Sequence, residues 1–356
     1  MLKRSFKRRH GFTIFDLIVA IAIIVGFAAL VVVGIQKARE SSRLMNCTNN
    51  LKQIGLGCHN YADTFKQFPT GTLDREPDPT APPTYDSWGW SALILPQIEQ
   101  LNVYDALGVT KRSLVAAIEE AEGNPRIAGI LQADLTAYRC PSDTTGTLPS
   151  CRVASFNGVS GQCPPEPVRA FHTGSFRAST SNYLGNAGLF DAQVRANNGV
   201  IYAQSRISFA SMIDGTSQTF LVGERSEYGA AGTWVGTSGV RGSSITLTAG
   251  TDDSGNPLGT VGTPPNFRDQ NSKEYNPWGG FSSMHPGGTQ FCLGDGSVRF
   301  VTSKIDFSLD TIGPDPTNSY AGDASFDVTP SPGQYGKLGV YQRLGIRNDG
   351  QGDVDY

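Results

Sequence analysis

Apolar and polar positions follow three regimes along the chain. From Ile14 to Ile35 every residue except Asp16 is non-polar. At 1.5 Å per residue this stretch makes a helix of about 33 Å, the depth of a bilayer core. Lys37, Arg39, Glu40 and Arg43 then mark an exit into water. Beyond them a stripe begins: Leu44, Cys47, Leu51, Ile54, Cys58, Tyr61 and Phe65 recur at alternating spacings of three and four, the period of a one-sided helix. Arg43, Asn49, Asn50, Lys52, Gln53 and Asn60 occupy the other face, and no proline intervenes before Pro69. One helix is therefore expected over residues 12–61, with a transmembrane part at 14–35. It would be about 75 Å long, its second half laid against a globular domain. Gly55 and Gly57 weaken it locally.

The third regime is shorter in period. Residues 66–87 hold Pro69, Pro77, Pro79, Pro82 and Pro83 and read as a loop. Helices are expected at Ser91–Leu107 and Lys111–Glu122. Strands are expected at Ser181–Leu184, Gln218–Glu224, Thr233–Val235, Gly288–Leu293 and Ser297–Thr302, with a long loop over 250–277. Asp295-Gly296, between two alternating runs, predicts a two-residue hairpin turn. That register would pair Leu293 with Val298 and Phe291 with Phe300, all on one face. The fold class is α+β: a long N-terminal helix packed on an antiparallel, β-rich, pilin-like body spanning 62–356. Abundant Gly (42) and Pro (21) in 356 residues suit such a loop-rich body.

Charge separates the two ends of the chain. Lys3, Arg4, Lys7, Arg8 and Arg9 precede the apolar run with no acid among them, leaving 24 basic residues against 32 acids elsewhere. An acidic body lacks the basic footprint of a nucleic-acid binder, so the cluster is a topology or targeting signal. Six cysteines (47, 58, 140, 151, 163 and 292) form no CxxC pair, and with four histidines no metal site is expected. Six cysteines allow 15 pairings. Cys47 cannot pair with Cys58, since eleven helical residues separate them by about 16 Å. Buried free thiols remain the other reading.

Four readings compete for the apolar run. A cleaved secretory signal has an apolar core of only about 7–15 residues. A cut after Ala20-Ile21-Ala22 would leave Ile23–Ile35 exposed. An amphipathic surface helix needs a polar face, which is missing. A plain signal anchor, basic end inward, leaves Asp16 without a purpose. A carboxylate within the bilayer costs about 2.5 kcal/mol or more. The fourth reading rests on Lys7-Arg8-Arg9-His10-Gly11-Phe12-Thr13-Ile14-Phe15-Asp16. This run resembles the type IV prepilin cleavage signature: a basic leader ending in Gly, then Phe-Thr, then an acid five residues into an apolar helix.

The resemblance implies a leader at 1–11, cleavage by a prepilin peptidase between Gly11 and Phe12, and methylation of the Phe12 amine. It implies that Asp16 orders assembly by meeting the Phe12 ammonium of a neighbouring pilin-like subunit. The family usually has Glu where this chain has Asp16. The cell-level expectation is a single-pass inner-membrane protein, N-terminus cytoplasmic, that later joins a periplasmic or cell-surface filament.

A second resemblance covers residues 4 to about 306. His285, nine intervening residues and Asp295-Gly296 resemble the His-x9-Asp-Gly motif of a large planctomycete-type family, DUF1559, which joins prepilin-type N-termini to a C-terminal domain of unknown function. Cys47–Tyr61, Trp90–Glu99, Cys140-Pro141-Ser142-Asp143, Ser181-Asn182-Tyr183 and Ile213–Thr219 match it as well.

Catalysis is not expected. The chain lacks a GxSxG elbow, an HExxH pair and a Walker loop. His285 with Asp295 suggests a base and its orienter, but Asp295 has a turn to make and the His285 ring can bond the hairpin backbone. Asp252–Asn256 and Asn348–Asp355 are oxygen-rich enough for weak calcium binding. Neither fits an EF-hand loop, solvated turns account for both, and no cofactor is expected. The function expected is a structural subunit of a type IV pilus-like or type II secretion-like filament. The alternative is a membrane-anchored solute- or glycan-binding protein that does not polymerise.

Overall fold

The computed structural model describes residues 14–73, 87–144, 178–189, 197–226, 231–237, 257–267, 280–308 and 335–350. Gly11, Phe12, Cys151, Cys163, residues 252–256 and 351–355 lie outside them. The chain forms two compact units, Met1–Met45 and Asn46–Tyr356.

Helix α1 spans Ile14–Phe65. In the first unit its large apolar residues face outward: Ile14, Phe15, Ile24, Phe27 and Leu30 are each about two-thirds exposed or more. The stretch is long and apolar enough to cross a membrane, and none of it is buried within the protein. Asp16 lies in the first turn, where a negative charge suits the positive end of the helix dipole.

The second unit buries one face of α1. Cys47, Leu51, Ile54, Gly55, Gly57, Cys58 and Ala62 are covered, whereas Phe65, assigned to the stripe from the sequence, is exposed. A 3.6-residue turn drifts away from a strict heptad, so Ala62, four residues after Cys58, takes the buried place. The helix runs a turn beyond the expected end. It stops at Lys66, which has a left-handed φ of 62° and donates its N–H to Ala62 O. Helices α2 (Trp90–Leu93), α3 (Leu101–Leu107), α4 (Leu114–Gly123) and α5 (Pro125–Leu131) follow, and α6 (Val340–Gly345) comes near the end. The single helix expected over Ser91–Leu107 is broken. Pro96 starts a 3-10 turn at Leu95–Ile98, which ends on left-handed Glu99, as a proline inside a helical run dictates.

Strands β1 (Thr72–Leu73), β2 (Ser87–Gly89), β3 (Thr180–Ser181), β4 (Tyr183–Gly188), β5 (Phe220–Glu224), β6 (Gly232–Thr233), β7 (Gly236–Thr237), β8 (Leu258–Thr260), β9 (Gly288–Leu293) and β10 (Val298–Thr302) form three sheets. The principal sheet has the order β10-β9-β5-β4-β8. It is antiparallel except for the β4–β8 pair. The fold is α+β.

Both faces of this sheet are covered. One core joins Leu51, Ile54 and Cys58 of α1 to Trp90, Tyr138, Tyr183, Leu221 and Cys292. The other joins Phe220, Phe281, Phe291, Leu293 and Val301 to Tyr341 and Leu344 of α6. Alternation along β9 serves both: Phe291 and Leu293 enter one core, Cys292 the other. Phe220 and Phe291 stack with centroids 4.1 Å apart.

The β9–β10 hairpin is displaced by one residue from the expected register. Val298 pairs with Cys292, Arg299 with Phe291 and Phe300 with Gln290. Leu293 N–H donates to Ser297 O, and Gly296 N–H donates back to Leu293 O. The loop therefore has three residues, with Gly296 at φ 82°. This is the three-residue hairpin that ends on a left-handed glycine. Phe300 consequently leaves the Phe291 face and is 45 % exposed.

Candidate functional site

β9 carries a cluster at each of its ends. Its six residues make about 20 Å of strand, so His285, before it, and Asp295-Gly296, after it, cannot act on one another.

At the tip, Asp295 is the turn residue. Its Oδ1 accepts the Ser297 N–H at 2.8 Å, and its own N–H donates to Thr216 O at 3.0 Å. Gly294 N–H donates to Thr219 O at 2.8 Å. His59 of α1 places Nε2 2.9 Å from Gly294 O. The tip is thus clamped between α1 and the 213–219 segment. That segment is held from behind: Asp214 accepts the N–H groups of Asp349 and Gly350, each at 2.7 Å. The Asp349 carboxylate lies 3.5 Å from Arg343 Nε. Of the two oxygen-rich runs named from the sequence, the first and residues 351–355 of the second lie outside the described residues.

At the other end four elements converge. Cys47 of α1 forms a disulfide with Cys140, across 93 residues of sequence and with Cα atoms 5.4 Å apart. Cys58 and Cys292 are buried free thiols. Burial pushes Cys292 up to about 12, with the Asp295 charge adding to it. Burial, then the Cys292 charge, raises Cys58 as well. Beside the disulfide lies the His285 ring, almost fully covered. Its Nε2 is 3.5 Å from Cys140 Sγ and 3.7 Å from Glu224 Oε1, and its Nδ1 is 3.4 Å from Ser142 Oγ. The ring meets the side chains of Cys140, Ser142 and Glu224 here.

Two of these partners, Glu224 and Cys140, are held through backbone N–H groups. Glu224 ends β5, and its Oε2 accepts the Gln290 N–H at 3.0 Å. Gln290 Oε1 accepts from Thr48 of α1 at 3.1 Å. Asn182 accepts the Cys140 N–H through Oδ1 at 3.0 Å and donates through Nδ2 to Asp143 Oδ2 at 2.6 Å and to Arg225 O at 3.1 Å. Burial, then the Glu224 charge, raises the Tyr183 phenol. Its oxygen accepts from Asn50 of α1.

Residues 36–308 match the family model described as "Protein of unknown function (DUF1559)". The chain belongs to the DUF1559 family. No characterised protein and no solved structure matches it. The match covers the buried part of α1, both ends of β9 and the 213–219 segment, and it begins just after the apolar run Ile14–Ile35.

Most of the short segments singled out from this DUF1559 sequence thus assemble into two joints between α1 and the sheet, at opposite ends of β9, Trp90–Glu99 excepted. Sequence reasoning named His285 but missed Glu224, which sits 61 residues earlier in a plain apolar strand. A buried acid ending Phe-Leu-Val-Gly-Glu was the available signal, because carboxylates are almost never fully buried without a partner. Gly55 was read as a weak point of α1. A Cβ there would meet Cys292 Sγ at 2.6 Å, so this glycine lets the helix approach β9.

Proposed function

We propose that this protein is a membrane-anchored, non-enzymatic subunit of a type IV pilus-like or type II secretion-like filament, processed between Gly11 and Phe12 by a prepilin peptidase. The observation that carries this reading is the division of α1. Its second half is built into the folded body through Cys47, Leu51, Ile54 and Cys58, while Ile14–Ile35 presents apolar side chains on every side.

A filament subunit needs both parts: an apolar helix to pack in the filament core and a folded body to sit outside it. Before processing, the five basic residues hold the N-terminus in the cytoplasm. Cleavage removes them and leaves a Phe12 ammonium close to Asp16. Two charges that are each costly in an apolar core become a directional pair between neighbouring subunits. Asp16 then fixes the axial register of assembly.

The non-enzymatic part of the reading is supported at His285. Ser142, His285 and Glu224 have the composition of a relay, but the ring-to-carboxylate separation of 3.7 Å exceeds a hydrogen bond. All three residues are buried.

Expression in a host with a prepilin peptidase and assembly machinery tests the proposal. The native protein is expected to sediment as polymer after shearing, and Asp16→Ala to remain in the membrane fraction as folded single subunits. Equal sedimentation of the two would instead favour an anchored solute- or glycan-binding protein that does not polymerise.

A further inference from the structure

Four metal-ligating side chains meet at the His285 end of β9: Cys47 from α1, Cys140 from the segment after the 136–138 turn, Glu224 from the end of β5, and His285. One donor atom from each lies within 4.8 Å of the others, and all four residues are buried. Two of the separations, both from His285 Nε2, match a tetrahedral site. Zinc bonds of about 2.3 Å to sulfur and about 2.0–2.2 Å to nitrogen or oxygen place neighbouring ligand atoms about 3.3–3.8 Å apart. His285 Nε2 stands 3.5 Å from Cys140 Sγ and 3.7 Å from Glu224 Oε1. The bond between the two sulfurs is what closes the site to an ion.

We propose that the reduced form of this protein binds one zinc ion through Cys47, Cys140, Glu224 and His285, and that the zinc and the Cys47–Cys140 disulfide are alternative states of one joint. A dithiol reductant takes the protein from one state to the other. The reductant's two thiols become a disulfide, and two electrons and two protons pass to Cys47 and Cys140. Zinc then displaces those two protons as the thiolates bind. Four protein ligands leave no open position, so the ion is structural rather than catalytic.

The surroundings supply what such a site needs behind its ligands. Ser142 Oγ meets the second ring nitrogen of His285, Gln290 N–H holds the far oxygen of Glu224, and Asn182 holds the Cys140 backbone. Outer partners of this kind orient ligands and raise affinity. Because the site is buried, the metal enters while the body is folding. The disulfide fastens α1 to the segment that carries Cys140; with zinc bound, α1 is fastened also to the end of β5 and to the segment before β9, so the body closes on the helix before an oxidant arrives. This inference is independent of the filament reading, and its readouts do not involve assembly.

The test uses the full chain in detergent micelles, unfolded and refolded with zinc chloride either in dithiothreitol or in an oxidising thiol buffer, then freed of loose metal. Elemental analysis is expected to find one zinc per chain in the reduced protein and none in the oxidised. Cobalt in place of zinc should give a thiolate-to-cobalt charge-transfer band. Cys151→Ser with Cys163→Ser keeps the zinc; Cys47→Ser loses it. Should Cys47→Ser misfold, His285→Gln provides the same test, since it retains the thiols and loses the tetrahedral cobalt spectrum. Ser142→Ala weakens zinc retention against a chelator about tenfold. A reduced protein with native circular dichroism and no zinc overturns the inference. So does zinc in the oxidised form, or zinc lost from the Cys151→Ser, Cys163→Ser protein.

Discussion

Single glycines show how one kind of substitution takes opposite signs. Alanine gains about 1 kcal/mol over glycine inside a helix. At Gly129 of α5 a Cβ meets nothing within 4 Å, so Gly129→Ala should raise stability by up to that amount. At Gly55 the same Cβ lands 2.6 Å from Cys292 Sγ in a closed core, and overpacking costs about 1–3 kcal/mol. Gly55→Ala should therefore destabilise by about 1 kcal/mol, read from urea midpoints of the two variants side by side. Gly55 and Gly57 look alike in sequence to any helix-weakening glycine, because the strand and turn they admit are far along the chain. The buried thiols make a second residue-level prediction. Cys292 stays protonated in the folded state up to about pH 12, whereas in the unfolded chain it ionises near 9. Between those values the unfolded state releases a proton that the folded state keeps, so stability falls as pH rises. Cys58 is shifted in the same direction. The urea midpoint should drop across this range and drop less in Cys292→Ala; equal slopes for the two proteins would contradict it.

Elements were legible where local pattern decides them. β9 has the bounds expected from its alternation, and the hairpin lies at Asp295-Gly296. Its register was not legible. Gly294 joins the loop because His59 and Thr219 hold its carbonyl and amide and Asp295 caps Ser297. Two of these three contacts come from residues distant in sequence. α5 went unseen although Asn124 caps it and Pro125 opens it, since seven residues give too short a period to recognise. The joint at His285 was hidden for a related reason: its four side chains come from four separate elements. Cys47 and Cys58 do not pair with one another; Cys47 pairs with Cys140, a choice among the alternatives that only the sheet's position makes. At this scale, removing the cross-link with Cys47→Ser and Cys140→Ser under oxidising conditions should cost roughly 2–5 kcal/mol in thermal or urea unfolding. An unchanged midpoint would mean that the disulfide constrains little.

Across the whole molecule, one helix has two characters. Its second half behaves as the core helix of an α+β body, with a buried stripe, close-packed glycines and a covalent link to the chain beyond it. Its first half has the length and composition of a membrane span and keeps one acid in its opening turn. DUF1559 membership accounts for the body, from residue 36 to residue 308. The filament proposal rests on the residues before that span together with the helix that joins them to the body. Its central claim is that the chain is cut once, between Gly11 and Phe12, and keeps the apolar helix afterwards. Intact-mass and N-terminal peptide mass spectrometry of the protein recovered from its own cell envelope measures this directly. The account predicts a mature chain beginning at Phe12 with a methylated amine; a chain that retains Met1, or one trimmed anywhere beyond Phe12, would contradict it.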